Sequence, residues 1–282
     1  MDFTHRLLAA QELNGSLLCV GLDPDLTKLP EGFEPRPRDV LAFNRAIIEV
    51  TRDLVCAYKP NLAFYESLGR KGWKTLRRTI DLIPEQIPVI LDAKRGDIGN
   101  TAALYAKALF EELDADAATV NPLMGTDSLE PFLEHPGRGV FVLCLTSNPG
   151  SREFQLSNSL HLQIAKAVRE KWRRKNSNVG LVVGATHPKE LRDIRAICPD
   201  QIILIPGVGA QGGALEETIR AGVSHVGPQM IINASRSIIH AGKGKDFAKA
   251  ARAAAKSLRQ EILTCLRQTK SSKRSTPSSK KS

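Results

Sequence analysis

Eight short β-like runs, alternating with longer stretches of helical spacing, constrain this chain more than any other feature. The runs are Leu17–Leu22, Ala57–Asn61, Pro88–Lys94, Ala117–Asn121, Val140–Thr146, Val179–Gly184, Ile202–Val208 and Val223–Val226. Between them, apolar residues recur at helical intervals, as at Val40-Leu41, Ile47-Ile48 and Leu54-Val55, and later at Ala165, Val168 and Trp172. Mostly apolar runs such as Leu17–Leu22 and Val179–Gly184 suit parallel strands covered by helices on their outer face. Eight strand–helix units predict a closed (β/α)8 TIM barrel, a fold that commonly takes ~250 residues. An open doubly wound sheet is the structural alternative, but no G-x-G-x-x-G follows the first run. The eighth run is the least regular of the set, because Gly227-Pro228 interrupts it.

The barrel is expected to occupy residues 1–268 as one domain, closed by an amphipathic helix from Asp246 to about Gln268. Beyond it, residues 269–282 hold Lys270, Lys273, Arg274, Lys280 and Lys281 and no acid. That Ser/Lys-rich stretch is too polar to bury a core and is expected to be disordered. It carries half of the formal net charge of +10, so the barrel itself is only modestly basic. Such a surplus suits anionic substrates without naming them.

Several classes are disfavoured at once. The longest apolar runs, such as Gly139–Leu145, are far shorter than the ~20 residues a membrane-spanning helix needs. The start of the chain has no apolar secretory segment. Five scattered cysteines and six histidines form neither C-x-x-C nor H-x-x-x-H, so neither disulfides nor a metal site is expected. A reducing cytoplasm is the natural compartment.

The charged hexad Asp92-Ala93-Lys94-Arg95-Gly96-Asp97 leaves the apolar run Pro88–Leu91 directly. Strand alternation would put Asp92 and Lys94 on one face, and Gly96 would let the chain turn and present Asp97 from the loop. A lone D-x-K at a strand end reads as a structural ion pair. Here it sits on the rim where barrel enzymes carry their reacting groups.

That rim is crowded with polar residues: Asp23, Lys59 and Asn61, then Asn121, then Thr146-Ser147-Asn148, Thr186, Gln211 and Asn233-Ala234-Ser235-Arg236. Glycines at 207, 209, 212 and 213 let backbone amides approach an anion at the loop that commonly binds phosphate in such barrels. Arg236 adds a guanidinium fork suited to phosphate oxygens.

The hexad and its continuation Ile98-Gly99-Asn100-Thr101 resemble the signature of orotidine 5′-phosphate decarboxylase, in the bacterial-type branch of that family. The resemblance extends in order through Leu18–Pro24, Tyr58–Asn61, Val120–Gly125, Leu143–Gly150, Val183–Thr186, Pro206–Gly213 and Asn233–Arg236, covering about residues 7–268. It implies Asp92, Lys94 and Asp97 at the reacting carbon, with Asp23, Lys59 and Thr101 at the ribose. It implies Ser147 at the pyrimidine, and Gln211 and Arg236 at the phosphate. It further implies a homodimer in which Asp97 and Thr101 reach the partner's site, and no cofactor or metal. Related chains also occur fused to orotate phosphoribosyltransferase, so an association with that activity is expected.

Decarboxylation at C6 of orotidylate leaves a carbanion in the ring plane, beyond the reach of the π system. An ammonium beside C6 can stabilise that charge and then protonate it, which assigns Lys94, while Asp92 and Asp97 hold the ammonium in place. Two other readings stay open at this point. One is a magnesium-dependent sugar-phosphate decarboxylase or aldolase of the same barrel superfamily, with the same D-x-K-x-x-D. The other is a basic nucleic-acid-binding protein, disfavoured by the low aromatic content of 5% and the location of the charge in the tail.

Overall fold

The computed structural model describes residues 2–208, 215–224 and 226–274. Eight parallel strands form the barrel: β1 Leu18–Leu22, β2 Ala57–Pro60, β3 Ile90–Arg95, β4 Ala117–Val120, β5 Gly139–Leu145, β6 Val179–Val183, β7 Ile203–Pro206 and β8 Met230–Ala234. Their order around the sheet is β2-β1-β8-β7-β6-β5-β4-β3. The remaining seam, between β2 and β3, is joined by isolated bridges at Tyr58–Val89 and Asn61–Asp92. Seven strands lie within two residues of the expected runs at either end.

The eighth does not. Val223–Val226 is not a strand; Ser224 instead makes an isolated antiparallel bridge with Gly227, and Val226 is exposed. Gly227 has φ +133°, and Pro228 has no amide to donate to a ladder. The chain therefore turns there, with the Met230 amide donating to the Pro228 carbonyl, and β8 begins only at Met230. Asn233 and Ala234, expected after the strand, are its last two residues.

The helix Phe3–Asn14 closes the barrel floor. It is capped by Asp2, whose carboxylate accepts from the His5 amide at 2.9 Å. Phe3 meets Phe141 of β5 edge to face, with ring centroids 5.6 Å apart. Gly139 is what admits it, since a Cβ there would stand 2.6 Å from the Phe3 ring. The helices Pro37–Thr51 and Leu160–Glu170 bury their apolar stripes against the barrel wall, as their spacing predicts.

The closing helix runs Phe247–Arg274, further than expected. No proline or glycine interrupts the chain before Pro277. Thr269 is buried and its hydroxyl donates to the Cys265 carbonyl one turn back, at 2.8 Å. The rest of the basic stretch, 275–282, lies outside the described residues. Among the described residues no helix is long and apolar enough to cross a membrane.

Candidate active site

The rim at the C-terminal ends of the strands encloses a cavity of about 160 Å³. Asp23, Lys59, Asp92, Ser147, Asn233 and Arg236 are among the residues that line it. Its chemical centre lies on the β2–β3 seam. Lys59, on β2, is almost fully buried and places its Nζ 2.8 Å from Asp92 Oδ2. Lys94 Nζ lies 2.5 Å from the other carboxylate oxygen, Oδ1. Asn61 caps the helix Leu62–Glu66 through its Oδ1, turns its Nδ2 toward Asp92 Oδ2 at 3.5 Å, and donates its backbone amide to Asp23 Oδ1 at 3.2 Å. One carboxylate thus joins two ammonium groups across the place where the ladder is weakest.

The electrostatics follow from that arrangement. Burial pushes the Asp92 carboxyl up, but Lys59 and Lys94 outweigh it and hold the group well below the usual carboxylate range. Burial also disfavours the Lys59 ammonium, yet Asp92 and Asp23 overcome that cost and raise its pKa above the ordinary lysine value. Beneath them, burial pushes the Cys19 thiol up to about 12, so it stays neutral. Asp92 and Lys59 are therefore both held in their ionised forms across the neutral range.

Lys94 reaches Asp92 by a different route from simple alternation. Its backbone is left-handed, with φ +48°, and the β3–β4 register shifts between Leu91 and Arg95. That conformation costs a non-glycine residue about 1–2 kcal/mol. Thr119 of β4 offsets part of this cost. Its hydroxyl oxygen accepts from the Lys94 amide at 3.0 Å, while the hydroxyl donates to Asp92 Oδ1 at 3.0 Å. Arg95 points the other way, paired with Glu66 and lying over the Tyr105 ring, 4.9 Å from its centroid.

Asp97 and Thr101 are not drawn into this cluster. The Asp97 carboxylate accepts from the Ile98 amide at 2.8 Å, and no cation among the described residues forms an ion pair with it. Thr101 is exposed on the helix Gly99–Lys107. Ile98, next to that helix, and Leu104, on it, are exposed, as are Leu123 and Met124 after β4.

Gly207, Ser235 and Arg236, from the ends of β7 and β8, also line the cavity. Gly207, with φ +93°, turns the chain out of β7 in a conformation that favours glycine. Gly21 is needed for space: a Cβ there would fall 1.8 Å from Ser235 Oγ, so only glycine lets the loop after β8 lie across the end of β1. Arg236 is exposed to the cavity mouth and has no carboxylate partner among the described residues. Gln211 lies outside the described residues. Ser147 borders the cavity from the loop after β5.

The sequence reading gave no role to Thr119, Asn61 or Asn233. Asn233 lines the cavity with a buried Oδ1 that has no hydrogen-bond partner among the described residues. Asn61 belongs to a quoted motif and could have been assigned from it. Thr119 carried no signal, because threonine is ordinary in a strand.

An ammonium–carboxylate cluster and a guanidinium with no carboxylate partner among the described residues, lining one cavity at a barrel mouth, suit a (β/α)8-barrel enzyme for a small phosphorylated substrate. Residues 16–253 match the family described as "Orotidine 5'-phosphate decarboxylase / HUMPS family", and the chain belongs to that family. It is 49% identical over 271 residues to the orotidine 5'-phosphate decarboxylase of Roseiflexus sp. (strain RS-1), covering 94% of this chain and 99% of that one. Among solved structures, Leishmania donovani OMP decarboxylase superposes with a TM-score of 0.84 at 40% identity, covering 94% of this chain and 99% of that chain. Leishmania donovani UMP synthase superposes with a TM-score of 0.85 at 41% identity, over 94% of this chain and 57% of the longer one.

Proposed function

We propose that this protein decarboxylates orotidine 5′-phosphate to uridine 5′-phosphate, the last step of de novo pyrimidine nucleotide synthesis, without a cofactor. The observation that carries the reading is the joint hold of Asp92 on Lys59 and Lys94 at the cavity wall, in a chain so close to enzymes of that name. As the bond from C6 to the carboxylate breaks, its electron pair stays on C6 and CO2 leaves. The Lys94 ammonium stabilises that charge and transfers a proton to C6. Asp92 keeps the ammonium in position. Lys59 and Asp23 serve the ribose, Ser147 the pyrimidine, and Arg236 with Gln211 the phosphate. Contacts with the phosphate, remote from C6, contribute binding energy to assembling the reactive arrangement.

The test is the ultraviolet absorbance of orotidylate incubated with EDTA-treated protein. Turnover is expected to persist undiminished. Activity lost to EDTA and restored by Mg²⁺ would overturn the cofactor-independent mechanism in favour of sugar-phosphate chemistry.

Arg236→Ala is expected to weaken orotidylate use by about 10- to 100-fold, the worth of a hydrogen bond to a charged group. Orotidine, which lacks the phosphate, should lose little further in the same variant. Equal losses on both substrates would make Arg236 structural.

The reading includes a homodimer in which Asp97 and Thr101 complete the partner's site. Its support is the Asp97 carboxylate, which forms no ion pair among the described residues, together with the exposed apolar side chains of Ile98, Leu104, Leu123 and Met124, which a second copy could cover. The longer UMP synthase that superposes on this chain supports an association with orotate phosphoribosyltransferase, by fusion or otherwise. Five free cysteines, four of them buried, fit a cytoplasmic site of action.

A further inference from the structure

We propose that Thr119 is a positioning residue for this reaction: its hydroxyl fixes where the Lys94 ammonium stands. The inference rests on the decarboxylase reading and extends it to a residue that does not touch substrate.

The geometry is a closed ring of hydrogen bonds that begins and ends on Lys94. The Lys94 amide donates to Thr119 Oγ1 at 3.0 Å, the Thr119 hydroxyl donates to Asp92 Oδ1 at 3.0 Å, and that oxygen also accepts from Lys94 Nζ at 2.5 Å. A hydroxyl has one proton and two lone pairs. Because the amide can only donate to it, the hydroxyl proton must go to Asp92. The direction of every bond in the ring is thereby set. Thr119 is 1% exposed, so no water competes for either bond.

Both ends of Lys94 are held by one side chain on the neighbouring strand, directly at the amide and through Asp92 at the ammonium. Of the non-glycine residues with left-handed backbone, Asp114, Asn158 and Ser159 lie elsewhere, and Lys94 lies in the site. Without the hydroxyl the amide of the bulge at Lys94 loses the acceptor that holds it. The segment then relaxes, and the ammonium moves relative to Asp92 and to the reacting carbon. The phosphate end of the cavity, formed by Gly207, Ser235 and Arg236, is built from other strands and is untouched.

The experiment compares wild type with Thr119→Val and Thr119→Ser for orotidylate turnover, uridylate affinity and exchange of the Lys94 amide proton. Thr119→Val is expected to lower kcat about 100-fold, the scale of a misplacement of ~1 Å. KM and uridylate affinity should stay within about threefold, since ground-state binding is unaffected. The Lys94 amide should exchange faster. Thr119→Ser keeps the hydroxyl and should recover kcat to within about fivefold of wild type. If the valine variant does not fold, Thr119→Ala removes the hydroxyl without added bulk and carries the same expectations.

Three results would overturn the proposal: kcat of the hydroxyl-free variant within about threefold of wild type, a serine variant as impaired as the valine, or uridylate affinity lost in step with kcat. The second would assign Thr119 to methyl packing, and the third to general distortion of the site. A wild-type protein that does not decarboxylate orotidylate overturns the functional reading itself, and this inference with it.

Discussion

Replacing Lys94 by alanine is expected to abolish turnover of orotidylate while leaving the fold and uridylate binding intact. Lys94 is half exposed, and alanine is no worse suited than lysine to the left-handed backbone at this position, so the barrel should tolerate the change. Asp92 keeps Lys59 and the Thr119 hydroxyl as partners and is not left as an unpaired buried charge. What disappears is the group that stabilises and then protonates the carbanion. General acid catalysis and electrostatic stabilisation together account for a loss of at least ~10⁴-fold. The measurement is orotidylate turnover beside uridylate affinity and a thermal melt. Activity within about tenfold of wild type, ~1.4 kcal/mol, would overturn the assignment of Lys94 as proton donor.

The second large effect is a recovery. Lys94→Ala and Asp97→Ala homodimers are each expected to be nearly inactive. If each site combines Lys94 of one chain with Asp97 of the other, a hybrid dimer holds one doubly defective site and one complete site. Random re-pairing of an equal mixture makes half the dimers hybrid, so about a quarter of wild-type activity should return by the symmetry of a two-fold dimer. The structure motivates the test through what Asp97 does in its own chain, where its carboxylate accepts from the adjacent Ile98 amide and forms no ion pair among the described residues. No recovery, under conditions where labelled subunits are seen to exchange, would mean that Asp97 serves its own barrel.

Much of this architecture was legible in advance, and the exceptions have physical causes. Seven strands were placed because buried parallel strands are apolar runs bounded by polar rim residues. The eighth was misplaced because two short segments, Val223–Val226 and Met230–Ala234, flank Gly227-Pro228, and periodicity cannot choose between segments so short. The proline could have decided it, since a ladder cannot continue through a residue with no amide donor.

The site shows the same division. Asp92 and Lys94 do meet, but the alternation argument reached that result by the wrong geometry: a register shift and a left-handed lysine bring them together. Such a bulge has no composition signature of its own, because its support comes from Thr119, twenty-five residues away in sequence. The Lys59–Asp92 contact was equally hidden, since it depends on the register of β2 against β3 at the seam of the barrel.

The closure of the barrel also has a kinetic consequence. β1 pairs with β8, the Phe3 amide donates to the Gly137 carbonyl at 2.8 Å, and the Thr4 amide donates to Asn178 Oδ1 at 3.1 Å. The residues from Phe3 to Val20 therefore wait for partners from the middle and far end of the barrel. Contacts of such long sequence separation slow folding. Until β8 arrives, the edge of β1 stands open to pairing with other chains. A chain cut short before Met230 would carry the hexad, Lys59 and Thr119 intact and still leave β1 without its partner.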